Sequence, residues 1–352
     1  MLLRSRILVT VALASVACGR GPGGRASTDT ANVRGGEVVT RPITKEDLAR
    51  FAVLPKTMAS PNTEITPAQI DLGRALFYET RLSNGHDVSC NTCHPLNGYG
   101  ADGRKVSFGD VGHAGDRNAP SVYNAAGQIA QFWDGRAPTV EEQAKGPILN
   151  SEEMAMPNSE AVLAHMRESP EYRAAFKAAF PTDRTPITYD NVGRAIGAFE
   201  RGLVTPSRWD RYLAGDSSAL SANELRGLAS FVHLGCANCH AGPYVGGQLY
   251  MKLGVVKPWP TSTDSGRFKV TRNPADLFVF KVPSLRNVAK TGPYFHDGSV
   301  ASLDSAIRLM ARHQLGLELN DAQVSDIHAW LNSLTGELPA DYIAQPPKTL
   351  GR

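Results

Sequence analysis

Two five-residue runs carry the clearest chemistry in this sequence: Cys90-Asn91-Thr92-Cys93-His94 and Cys236-Ala237-Asn238-Cys239-His240. C-x-x-C-H is the attachment signature of c-type haem. Two thiols about one helical turn apart can add to the two vinyl groups of one porphyrin, and the next residue then offers an imidazole nitrogen to the iron. Other readings of these residues are poorer. A structural disulfide does not require histidine after both pairs. A zinc site needs four ligands close together, whereas the pairs start 146 positions apart. A thioredoxin-like pair would need a βαβ setting. Cys90, Cys93, Cys236 and Cys239 are therefore read as the anchors of two haems, with His94 and His240 as proximal ligands.

The stretches after these motifs repeat. Ala119-Pro120-Ser121-Val122-Tyr123-Asn124-Ala125 resembles Val282-Pro283-Ser284-Leu285-Arg286-Asn287-Val288. Trp133-Asp134-Gly135 starts thirteen residues after Pro120, and His296-Asp297-Gly298 starts thirteen residues after Pro283. Such self-similarity predicts two copies of one haem domain, divided near Leu203 to Trp209.

The copies are unequal. In the second, Met310 lies 14 residues after His296 and shares a helical face with Leu303 and Ile307. A lone methionine is ordinarily core, but in a duplicated haem domain it is the usual second axial ligand. In the first copy Pro147 stands at that point, with Gln143, Glu152 and Glu153 nearby. A His/Met haem is closed, and its soft thioether favours Fe(II), which suits electron transfer. A haem with an opening sixth position beside a carboxylate suits catalysis. Peroxide reduction takes two electrons and two protons. Two neighbouring irons can store the electrons, Glu153 could move the proton as base and then acid, and Gln143 could orient the peroxide. Trp133 is a candidate bridge between the haems, or a packed core aromatic.

Helices must position these groups. Thr66-Pro67 is a helix start, and Val192, Ile196, Phe199 and Leu203 recur at helical spacing. Ser221-Ala222-Asn223-Glu224 is a capping box leading into the second motif, and Val324, Ile327, Leu331 and Leu334 mark a late amphipathic helix. Gly- and Pro-rich stretches at 97–115 and 242–265 are expected to be functional loops or cofactor wraps. The expected fold is mainly α: two cytochrome c-like haem domains related by internal duplication, with long loops and little β structure. The domains are expected at 41–205 (peroxidatic) and 206–340 (electron transfer), with a tail at 341–352.

Composition fits a soluble globular chain of 352 residues, 42% hydrophobic and 20% charged. A net charge of +3 without a long basic run argues against a nucleic-acid partner. Arg4 and Arg6 precede an apolar stretch, Ile7 to Ala17, too short to span a bilayer. Residues 1–17 read as a secretory signal and 18–40 as a flexible tether, which implies a periplasmic protein. Cys18 stands where a lipoprotein's acylated cysteine would, although Ser15 replaces the usual Leu. Lipid anchoring and ordinary cleavage after Ala17 both stay open. Gly19 to Gly24 fits G-x-G-x-x-G, but no strand precedes it and no helix follows, so the nucleotide reading fails on context.

Taken together, these motifs resemble the bacterial di-haem cytochrome c peroxidases, from about Leu54 to Gly336. Both C-x-x-C-H runs, Gly112-His113, Arg117-Asn118-Ala119-Pro120, Phe132-Trp133-Asp134-Gly135-Arg136, Gln143-Ala144-Lys145-Gly146-Pro147, Pro293-Tyr294-Phe295-His296 and Met310 fall in family order. The resemblance implies His113 as the displaceable distal ligand of the first, low-potential haem and Met310 as the distal ligand of the second, high-potential haem. It places Gln143 and Glu153 in the peroxide pocket and Trp133 between the haems. It also implies a calcium ion held by Asn118 and the carbonyls of Thr291 and Pro293, a small cytochrome c or cupredoxin as electron donor, and a homodimer as one assembly. Two rivals remain. A methylamine-utilisation di-haem enzyme oxidises a partner protein, but carries Tyr where this chain has Met310. A plain di-haem electron carrier would not need Glu153 and Gln143. His86, His165, His233, His313 and His328 are read as structural or surface residues.

Overall fold

The computed structural model describes residues 41–60, 64–260 and 263–346. The expected signal, Cys18, the tether and the end of the tail lie outside the described residues. The longer helices are α1 (Pro67–Phe77), α2 (Val140–Leu149), α3 (Ser159–Glu168), α4 (Pro170–Ala179), α5 (Tyr189–Glu200), α6 (Arg208–Leu213), α7 (Ala222–His233), α8 (Leu303–Met310) and α9 (Asp321–Ser333). β1 (Tyr250–Lys252) and β2 (Val279–Lys281) form a two-stranded antiparallel sheet, with Tyr250 opposite Lys281. The structure is thus mainly α with little β.

Helix starts follow local chemistry. Thr66 and Gln69 close a capping box on α1, Ser221 and Glu224 on α7, and Asn320 and Gln323 on α9. Each box satisfies two otherwise orphaned backbone donors. The apolar faces then collapse into two main clusters. Leu72, Leu76, Phe77, Ile148, Val192 and Phe199 lie in one. Trp209, Leu228, Phe231, Ile307, Ile327 and Trp330 lie in the other. Phe51 packs in the second cluster and Ile343 in the first, so neither is built from one unbroken stretch.

The same helix crossing occurs in both clusters. A β-carbon at Gly73 of α1 would lie 1.8 Å from the Ala195 carbonyl oxygen of α5. One at Gly227 of α7 would lie 1.8 Å from the Asp326 carbonyl oxygen of α9. Only glycine allows backbones this close. The repeated stretches also match in conformation. Asn124 and Asn287 both take positive φ, at 58° and 62°. Isolated bridges join Gln131 to Ala137 and Tyr294 to Val300, with identical spacing.

One feature differs from the sequence expectation. The stretch 242–265 is not all loop: it contains β1, because β2 pairs with it from outside the stretch. Met310 ends α8, and the chain continues as a π-helical turn, Ala311–Leu315. No helix among the described residues is long and apolar enough to cross a membrane.

Candidate haem sites

Each C-x-x-C-H run forms a single turn that brings its cysteines to one side. Cys90–Cys93 is a one-turn helix, and the His94 N–H donates to the Cys90 carbonyl at 2.9 Å. Cys236–Asn238 is a 3₁₀ turn, and the His240 N–H donates to the Cys236 carbonyl at 3.0 Å. His94 Nδ1 lies 3.1 Å from the Gly100 carbonyl oxygen. That contact fixes the tautomer and leaves Nε2 for a metal. His240 faces the backbone of Pro283 and Val245. Burial lowers the pKa of both imidazoles, that of His240 to about 4. Neutral imidazole is the form that binds iron.

The four cysteines of these runs form no disulfide with one another. Burial pushes all of them up, Cys236 to about 12, which disfavours thiolate. Zinc or disulfide-exchange chemistry needs thiolate, whereas a thioether bond to a vinyl carbon leaves no charge to bury. No group of three or more His, Cys, Asp or Glu suited to a metal ion occurs among the described residues. A large cavity is lined by Cys236, Cys239, His240, Phe280, Leu303 and Met310. Two thiols, an imidazole and a thioether on apolar walls are the donor set of a His/Met haem.

The turn that follows Met310 is held by a strap. This π-turn receives the loop 252–257. The Val256 and Lys257 N–H groups donate to the His313 carbonyl at 3.0 and 3.1 Å. Gln314 Oε1 accepts from the Gly254 and Val255 N–H groups at 2.6 and 3.1 Å. Gln314 Nε2 donates to the Lys252 carbonyl at 3.1 Å. A π-turn leaves carbonyls out of helical register, and here the loop uses one of them.

The first site is built differently. Glu153 follows α2 and is half-buried, and its charge is felt at both Cys90 and Cys93. Burial is the main cause of its raised pKa, opposed by the Arg136 charge and an Asn150 hydrogen bond. Arg136 itself stacks on the Phe132 ring at 3.4 Å. His113 is exposed, with Nδ1 3.3 Å from the Ser151 carbonyl oxygen. Its loop is fastened to the Glu153 segment, because the Asp110 N–H donates to the Glu153 carbonyl at 2.6 Å. A β-carbon at Gly109 would lie 2.3 Å from the Glu152 and Glu153 carbonyl oxygens, so the contact requires glycine there. The structure thus joins His113 to Glu153 through the backbone. Gln143 is half-buried on α2, and no direct hydrogen bond joins it to Glu153 among the described residues.

Trp133 Nε1 donates to the Asn118 carbonyl at 2.9 Å, and its ring centroid lies 6.4 Å from that of His296, its repeat counterpart. Trp133 also lines the cavity at Cys236 and Cys239. Asn118, Thr291 and Pro293 line that cavity too. Asn118 Nδ2 donates to the Arg104 carbonyl at 2.9 Å, which leaves Oδ1 as the atom a hard cation would use.

Sequence reasoning missed Gln314, the Gly109 contact and Lys281. Lys281 lines the same cavity as Met310. A lysine inside a strand carried no spacing signal. For Gln314 the only hint was its place in the turn after Met310.

Known proteins resemble this chain over most of its length. The family model described as di-haem cytochrome c peroxidase matches residues 67–218. The cytochrome c551 peroxidase of Nitrosomonas europaea is 46% identical over 79% of this chain and 84% of its own. That of Pseudomonas aeruginosa is 45% identical over 81% and 84%. A crystal structure of a MauG-like protein associated with microbial copper homeostasis is 29% identical, with a TM-score of 0.75 over 83% of this chain and 97% of its own. The family match and these relatives place the chain, with its two C-x-x-C-H runs, in the di-haem cytochrome c peroxidase family.

Proposed function

We propose that this enzyme reduces hydrogen peroxide to water with electrons from a small cytochrome c or cupredoxin, taken in at the Met310 haem and used at the His94 haem. When bound, the two haems supply the iron redox chemistry and hold the two electrons. The chain supplies the protons and the geometry. Glu153 takes a proton from one peroxide oxygen and returns it to the other, which leaves as water; two electrons and two protons from solvent then convert the remaining oxygen to the second water. Its raised pKa places it closer to the working pH than an ordinary glutamate. Gln143 orients the peroxide, His113 is the displaceable ligand, and Trp133 lies on the path between the haems.

The observation that carries this reading is the inequality of the sites: a half-buried carboxylate whose charge is felt at Cys90 and Cys93, against a thioether that lines one cavity with Cys236 and Cys239. Met310 favours the peroxidase over the methylamine-utilisation type, and Glu153 favours an enzyme over a plain electron carrier. The reading extends to two duplicated haem domains at 41–205 and 206–340, a calcium ion on Asn118, Thr291 and Pro293, a homodimer, and a periplasmic location reached either by lipid anchoring at Cys18 or by ordinary cleavage after Ala17. Purified holoprotein, fully oxidised and half-reduced, should consume peroxide with a reduced donor cytochrome. No consumption in either state would overturn the proposal.

A further inference from the structure

Lys281 is a buried cation with no ion-pair partner among the described residues. It lies on β2, 8% exposed, and its ammonium donates to Gln128 Oε1 at 2.5 Å. The acid whose charge it feels is Asp134, and that carboxylate is already paired with Arg117 at 2.7 Å and Arg136 at 3.2 Å. A neutral amide oxygen cannot balance a buried ammonium, and such groups persist when a counter-charge is present. Burial accordingly lowers its pKa to about 8.

The side chain lines the same cavity as Cys236, Cys239 and His240. A haem anchored there carries two propionate carboxylates. They too need a cation once removed from water, and the walls are otherwise largely apolar. We propose that Lys281 binds a propionate carboxylate of the second haem, as an ion pair completed only when the haem is in place. The contact reaches further than one pair. The Lys281 N–H donates to the Trp133 carbonyl at 2.8 Å, so the residue that balances the second haem's charge also fixes the backbone of Trp133. A positive charge beside that haem opposes a further positive charge on its iron and so favours the ferrous state.

The inference rests on a haem at Cys236, Cys239 and His240, and that reading has its own check. Pyridine haemochrome spectra of the wild type should give two haems per chain, and one haem would sink the site assignment itself. For Lys281, redox titrations of both haems are compared in the wild type, Lys281→Met and Lys281→Arg. The expected result is a lowered midpoint potential of the second haem in Lys281→Met, a near-normal value in Lys281→Arg, and an unmoved first haem. Loss of the second haem from Lys281→Met with retention in Lys281→Arg also supports the pair, because charge then decides retention. An unchanged second potential in a fully loaded Lys281→Met overturns the proposal. So does a shift confined to the first haem, or equal haem loss in both variants.

Discussion

Asn124 and Asn287 donate their side-chain amides to one hydroxyl, Thr205 Oγ1, at 2.8 and 2.9 Å. All three side chains are fully buried. Their remaining bonds close the node, since Asn124 Oδ1 accepts from the Thr205 N–H and Asn287 Oδ1 from the Gly336 N–H. One threonine between the two clusters thus serves equivalent asparagines from both repeats. Thr205→Val keeps the shape and removes the shared acceptor. Leaving two buried donors unpaired should cost roughly 2–6 kcal/mol, from about 1–3 for each. Denaturant unfolding of the holoprotein measures it, and a loss below about 1 kcal/mol would show that the node is not cooperative.

Glu153→Gln should lower turnover by on the order of 10²-fold or more, the scale of a lost acid–base group. The pH profile gives a second readout. A base must be ionised to accept a proton, and burial raises this carboxyl above its ordinary 4.5. Activity should therefore rise with pH along a limb centred above 4.5, and Glu153→Gln should abolish that limb. Unchanged turnover would remove Glu153 from the mechanism.

Met310→His should lower the potential of the second haem, because imidazole replaces a ligand that favours Fe(II). Gln314→Leu leaves Met310 in place but removes three bonds of the strap. It should weaken the methionine-to-ferric-iron charge-transfer band and shift the potential in the same direction by less. A normal spectrum and potential in Gln314→Leu would limit the strap to a structural role.

His113→Ala should let the fully oxidised protein react with peroxide without prior reduction. Stopped-flow mixing of oxidised holoprotein reads this directly. Continued dependence on prior half-reduction would show that His113 is not the group that closes the first iron.

Glu200 lies buried at the end of α5, and burial lifts its pKa from 4.5 to about 8, with Glu141 adding to the rise. The folded state therefore holds this proton more tightly than the unfolded chain. Its contribution to stability is complete below about 4.5 and is lost as pH rises to about 8. The slope is at most about 1.4 kcal/mol per pH unit for one proton. Glu200→Gln should flatten the stability–pH curve in that window, measured by denaturant midpoints across it. An unchanged curve would assign the dependence to other groups.

Much of this protein is legible in its amino-acid order. Both haem attachment runs, the capping boxes at Thr66 and Ser221, the apolar faces of α5, α8 and α9, and the repeat around Asn124 and Asn287 depend on residues near one another in the chain. Their spacing is their geometry, so the sequence by itself determined the mainly helical fold and the two candidate haem sites. The tertiary structure alone decided the rest. It tied the His113 loop to Glu153, set the 252–257 loop on the turn behind Met310, joined both repeats through Thr205, and buried Lys281 with no ion-pair partner among the described residues. Each of these joins residues far apart in sequence, where local spacing carries no information and only packing fixes which donor meets which acceptor.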